Sequence, residues 1–168
     1  MTKTRSKHQN SVNVTWFQVS GNCMAPLIRE NDLVAVMPPA ELRLGDIVVV
    51  STRPAIVHRV VKILKGSYIL TKGDLNLGLD SPCTKSDLAW KVTTIVRKEP
   101  KTIMMNGWLW RVRNYVMARY SLACFLTWQF VSRNKRLVQI CQRFSAQLRC
   151  IYMCVPRVMT VFAAIKQE

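Results

Sequence analysis

Ile56-Val57-His58-Arg59-Val60-Val61-Lys62-Ile63-Leu64, the turn Lys65-Gly66-Ser67 and the return Tyr68-Ile69-Leu70-Thr71 decide the fold class. β-Branched and aromatic side chains pack well on a pleated surface, and the short Gly-containing link between the two runs predicts a β-hairpin. Upstream lie further runs of the same kind. Val12 to Val19 is a first strand, Asp32 to Met37 a second, ended by Pro38-Pro39, and Ile47 to Ser51 a third, entered through Gly45-Asp46 and followed by Pro54. Asp32 and Asp46 head their strands, where a carboxylate satisfies free backbone donors in the turn. Downstream, Lys72 to Pro82 is a loop by composition, and Ala89 to Arg97 is a last strand. Short strands at this spacing predict a mainly β fold, a small coiled or barrel-like sheet.

Two of these segments carry chemistry. Ser20-Gly21-Asn22-Cys23-Met24-Ala25-Pro26 follows the first strand, with Gly21 supplying the freedom for a sharp bend that presents one thiol. The hairpin carries His58, the one histidine apart from His8 of the basic N-terminal stretch. A Cys with a matched His is a candidate nucleophile and base. The loop from Lys72 to Pro82 adds Asp74 and Asp80, and polar groups placed on loops over a sheet scaffold are where function is often carried.

The order of these blocks, Gly21-Asn22-Cys23-Met24-Ala25-Pro26, Arg29-Glu30-Asn31-Asp32, Leu44-Gly45-Asp46-Ile47, Val57-His58-Arg59-Val60 and Leu70-Thr71-Lys72-Gly73-Asp74 with Asp80, resembles the S24/S26 peptidase superfamily over residues 14 to 98. Within it the pattern is most similar to the signal peptidase I-like branch with a histidine base. The resemblance implies a sheet of signal peptidase or repressor-peptidase type, with Cys23 where the family has its serine nucleophile. It implies His58 as base and assigns the orienting carboxylate to Asp80, while Asp74 supports the loop or is the alternative acid. Met24 and Pro26 would shape the wall beside the nucleophile. The oxyanion would be met by the Cys23 N–H, with Asn22 or Ser20 as side-chain assistants where some relatives have a serine at the position of Gly21.

Peptide hydrolysis needs a nucleophile, a group that takes its proton and returns it to the leaving amine, and donors for the oxyanion. A neighbouring histidine stabilises a thiolate as an ion pair, and a carboxylate on its other ring nitrogen orients the imidazole. The expected activity is endoproteolytic removal of a leader or signal segment from a peptide, bound as an added strand along a sheet edge, with no cofactor and no metal. Two rivals stand beside it. One is a catalytically inactive module of the same fold that docks to a membrane or protein partner. The other, ranked last, is a nucleic-acid-binding regulator.

Composition bounds these readings. The chain has 168 residues, 49% of them hydrophobic, enough for one domain with a core. Of its 25 Lys and Arg and 9 Asp and Glu, residues 1 to 97 carry 13 and 7, and residues 98 to 168 carry 12 and 2. The basic excess at the back favours anionic lipid, nucleic acid or an acidic peptide. The six cysteines, Cys23, Cys83, Cys124, Cys141, Cys150 and Cys154, form no CxxC pair and no zinc spacing. Free thiols in a reducing, cytoplasmic compartment are therefore expected, with peripheral attachment to the inner face of a membrane left open. The basic stretch Met1 to Asn10 has no apolar run of a signal peptide and is expected to be a flexible tail.

The expected division is a tail over 1–10, a peptidase-like β domain over 11–99 and a basic helical extension over 100–168. Trp108, Val112, Tyr115, Val116, Arg119 and Tyr120 recur at helical intervals, with Arg111 and Arg113 on other faces. Arg119 and Gln129 interrupt the apolar run Tyr115–Val131, and Arg149, Pro156 and Arg157 interrupt Leu148–Ile165, so neither is a good membrane span. Such helices would lie against an anionic membrane surface through residues 108–168, or pack on the β domain or a partner.

Overall fold

A computed structural model of the chain describes residues 14–39, 41–51, 55–97, 102–134 and 136. The expected basic tail with His8, the boundary at Lys98 to Lys101, Cys141, Cys150, Cys154 and the run Leu148–Ile165 lie outside the described residues. The described part is mostly β, as expected. Its strands are β1 (Thr15–Gln18), β2 (Leu33–Met37), β3 (Ile47–Val50), β4 (Ile56–Ile63), β5 (Tyr68–Lys72), β6 (Cys83–Thr84), β7 (Leu88–Val96) and β8 (Thr102–Met104), followed by one helix, α1 (Trp108–Ser132).

All eight strands join one antiparallel sheet in the order β1-β2-β7-β3-β4-β5-β6, with β8 added to β7. Register shifts at Ala35/Val36, Val49/Val50 and Val60/Lys62 mark irregularities of the bulge type. Such bulges bend and twist a strand, and they accompany the curling of this sheet into a half-barrel. The hairpin expected from Ile56 to Thr71 is β4–β5, closed by a one-turn 3-10 segment at Lys65–Ser67. Two short strands went unread: β6 inside the stretch leading away from the loop, and β8 beyond residue 99. Two or three residues are too few to show a period, and Ile103 alone, 6% exposed, carries the burial of β8.

The strand-heading aspartates do what their position implies. Asp32 Oδ2 accepts from Arg29 N at 2.9 Å and Asp46 Oδ2 from Arg43 N at 2.9 Å. Each also meets a cation on β7 or just past it, Arg97 for Asp32 and Lys91 for Asp46.

One core cluster gathers Met24, Leu27, Ile28, Val34, Val36, Ile47, Val49, Val92, Ile95 and Trp110. A second holds Val48, Val50, Val60, Ile69, Cys83 and Leu88. The turn that bears Cys23 is thus anchored by its own apolar neighbours, and Trp110 ties α1 into the same cluster. Gly45 fixes how closely α1 approaches: its φ is +94°, and a Cβ there would stand 2.5 Å from backbone atoms of Asn114.

Candidate active site

Cys23, His58 and Asp80 are neighbours. Cys23 lies on the turn after β1, held by a hydrogen bond from Leu75 N to Cys23 O at 2.9 Å, which clips the 73–82 loop to the thiol's backbone. The bend at Gly21 has φ +94°, a conformation glycine takes without cost. The thiol is partly buried, not sealed in the core, and donates weakly to Val57 O at 3.8 Å. His58 is in the middle of β4, 4% exposed.

The imidazole has two polar neighbours. Nδ1 lies 2.5 Å from Asp80 Oδ2, and the Cys23 thiol, which donates to the carbonyl of the adjacent Val57, is near enough to act on the ring electrostatically. Asp80 is itself held, since its Oδ2 also accepts from Thr71 Oγ1 at 2.6 Å and its N–H donates to Thr71 O at 3.0 Å. Burial alone would pull the imidazolium down. Hydrogen bonding and electrostatic interaction with Asp80 and Cys23 outweigh it and push His58 up from 6.5 to about 9. A folded value raised above the unfolded one stabilises the native state fully below about pH 6.5, and that contribution is lost as pH rises through about 9. Because Cys23 supplies part of the upward push, Cys23→Ala is expected to lower the His58 midpoint in an NMR titration. An unchanged midpoint would mean that sulfur and ring do not interact.

Of the two loop carboxylates, Asp80 meets His58 and Asp74 does not. Asp74 is 4% exposed and grips Arg59 with both oxygens, Nε to Oδ1 at 2.8 Å and Nη2 to Oδ2 at 2.7 Å. Asn22 is exposed, and its Oδ1 accepts from Glu30 N at 3.1 Å, which closes the turn at its surface. Met24 is a core residue at 1% exposure. Pro26 follows a cis peptide bond, and its carbonyl accepts from Arg97 Nη2 at 3.0 Å. Cys83, also near Asp80, is buried in the second cluster with its thiol donating to Ile69 O, and burial pushes it up, away from ready ionisation. Among the described residues, no group of three or more His, Cys, Asp and Glu is placed to hold a metal ion.

Sequence reasoning missed the other side of the hairpin. Successive residues on a strand face opposite ways, so Arg59 points away from His58, and Lys72 is its register partner. Both are completely buried. Arg59 also donates to Gly45 O at 3.1 Å and to Asn114 Oδ1 at 3.0 Å, and Lys72 to Gly73 O at 3.1 Å and to Ser121 Oγ at 2.9 Å. Asn114 and Ser121 come from α1, where Arg113 is buried as well, its guanidinium 4.5 Å over the Trp110 ring. Burial lowers both Lys72 and Arg113. The signal was available in principle: a charged residue set into each strand of the hairpin, Arg59 and Lys72, and Asn and Ser seven apart on a helix.

A family model described as Peptidase S24-like matches residues 2–74. The matched stretch, under half of the chain, is similar to that peptidase family, in keeping with the resemblance drawn from the motifs. It takes in Cys23 and His58 and stops short of Asp80. No curated protein matches the chain, and no solved structure does.

Proposed function

We propose that the protein is a signal peptidase-like endopeptidase that uses a thiol, with Cys23 as nucleophile, His58 as proton carrier and Asp80 as the group that orients the ring. The observation that carries this reading is the grouping of Cys23, His58 and Asp80, three residues from separated blocks of sequence, with Asp80 hydrogen-bonded to the ring and the Cys23 thiol on the carbonyl of the adjacent Val57. An imidazolium held protonated up to about pH 9 beside a sulfur is a counter-ion for a thiolate.

In the proposed cycle the Cys23 thiolate attacks the scissile carbonyl, and the S–C bond forms as the carbonyl electrons move onto oxygen. The imidazolium gives its proton to the leaving amine as the C–N bond breaks, leaving a thioester and a neutral ring. That ring takes a proton from water, whose oxygen attacks the thioester. Collapse of this second intermediate releases the acid and restores the thiolate and imidazolium. Asp80 stabilises the ring whenever it is cationic and orients it when neutral, and Thr71 fixes Asp80. Among the described residues no acceptor is bonded to the Cys23 N–H, which suits it to meet the oxyanion.

An extended peptide suits the site. β1 ends the strand order and runs directly into the Cys23 turn, so an added strand on its outer edge would lead a scissile bond toward the sulfur. The substrate proposed is a leader or signal segment, and the location proposed is cytoplasmic.

Iodoacetamide labelling with a mass readout of Cys23 tests the pairing without a known substrate. Replacing His58 by Gln is expected to slow alkylation at pH 7 by about tenfold or more, because the thiolate loses its counter-ion. Equal rates in the two proteins would leave the sulfur an ordinary thiol and favour a non-catalytic module of the same fold.

A further inference from the structure

Helix α1 has its polarity reversed. Its packed face presents Arg113, Asn114 and Ser121 along with Trp110, Met117 and Ala118, because the sheet beneath offers Arg59 and Lys72. The apolar stripe at helical spacing faces the other way: Trp108 (68% exposed), Val112, Tyr115, Val116, Leu126 (55%) and Phe130 (70%). At 100° per residue these fall within about a third of the helix circumference, along an element about 37 Å long. Residues 126–130 are exposed all round. A stripe of this size left in water carries a cost that contact with an apolar phase removes.

We propose that this outward face of α1 docks in the interface of an anionic lipid bilayer, with the helix lying in the membrane plane. Charge chooses the occupant. α1 has no Asp or Glu, and from residue 100 to residue 167 the chain has none either, against eleven Lys and Arg. Arg119 is exposed within the stripe and Arg111 at its margin, while Arg133 and Arg136 follow the helix, all exposed. Arginine stems lie along apolar surface while the guanidinium reaches the headgroups, so cations within and beside such a stripe fit a lipid interface. A second copy of the chain would instead bring the same cations together with no carboxylate on the helix to meet them. No helix among the described residues is long and apolar enough to cross a membrane, which is consistent with a helix lying on one.

Flotation of the full-length chain with phosphatidylcholine vesicles, with and without phosphatidylglycerol, tests the proposal. The protein is expected to float with the anionic vesicles, to be released by salt, and to show a blue shift of tryptophan emission as Trp108 leaves water. Arg119→Glu is expected to weaken binding by about tenfold. Leu126→Gln with Phe130→Gln is expected to weaken it by about tenfold or more. Neither variant touches the packed face, and unchanged Cys23 alkylation would show each to be folded. Absence of flotation would overturn the proposal. So would flotation undiminished in both variants, which would assign the attraction to basic residues elsewhere, or a concentration-dependent dimer abolished by the same substitutions, which would give the face to a second copy.

Discussion

With alanine in place of Cys23, turnover of a leader-type peptide is expected to fall by at least about 10³-fold, because the covalent intermediate of the proposed cycle forms on its sulfur. Reversed-phase separation of the products would read it. Asp80→Asn is expected to lose less, about 10²-fold or more, since an amide can still orient the ring but no longer balances its charge. Thiol and imidazole remain in place in that variant, so a slow reaction should persist. Asp80 is hydrogen-bonded at once by His58 and Thr71, which holds its carboxylate against the ring. Turnover of the Cys23→Ala protein equal to that of the parent would remove the enzyme and leave a scaffold of the same fold.

The largest effect on stability is expected at a residue with no direct part in that chemistry. Asp74 is the one buried carboxylate among the described residues that faces the buried cations Arg59, Lys72 and Arg113, and it holds Arg59 with two charge-assisted hydrogen bonds. Removing one partner of a buried ion pair strands the other charge, so Asp74→Ala is expected to cost about 3–5 kcal/mol. Urea unfolding would measure it, and the melting temperature should drop by about 10 °C or more. The same variant separates the two loop acids. At temperatures where it stays folded, Asp74→Ala should leave the His58 titration close to its parent, whereas Asp80→Asn should lower it, because Asp80 is the carboxylate on the ring. A loss of stability below about 1 kcal/mol would mean that Arg59 finds water or another partner, and that the buried pair is not what holds the helix down.

Much of this was legible in the chain itself, for identifiable reasons. Strands β2, β3, β4, β5 and β7 each carry enough β-branched residues between turn signals to be read, and α1 shows its period from Trp108 to Tyr120. The Cys23 bend and His58 stood out because a reactive residue in an apolar neighbourhood has few structural reasons to be there. Choosing Asp80 over Asp74 rested on resemblance, because both sit in one loop and spacing does not separate them. Their fates differ by which side of the hairpin each reaches, a matter of register that bulges decide. The polar layer under α1 was invisible for a related reason. Arg59, Lys72, Asn114 and Ser121 are ordinary surface residues by composition, and only the docking of helix on sheet makes them interior. The stripe Trp108, Val112, Tyr115 and Val116 was found by its spacing, yet spacing does not say whether such a stripe faces inward or outward.

The hydrogen bonds from Arg59 to Asn114 and from Lys72 to Ser121 bear on how this protein can change over generations. A helix that seals an apolar surface can be traded for almost any other greasy segment. One that answers specific cations cannot, and its replacement would have to arrive with an amide and a hydroxyl already at the right heights. Recombination that grafts a foreign tail after residue 99 should therefore yield insoluble chains, while shuffling the outward side of the same helix should be tolerated. The helix and the sheet it covers are expected to be inherited together.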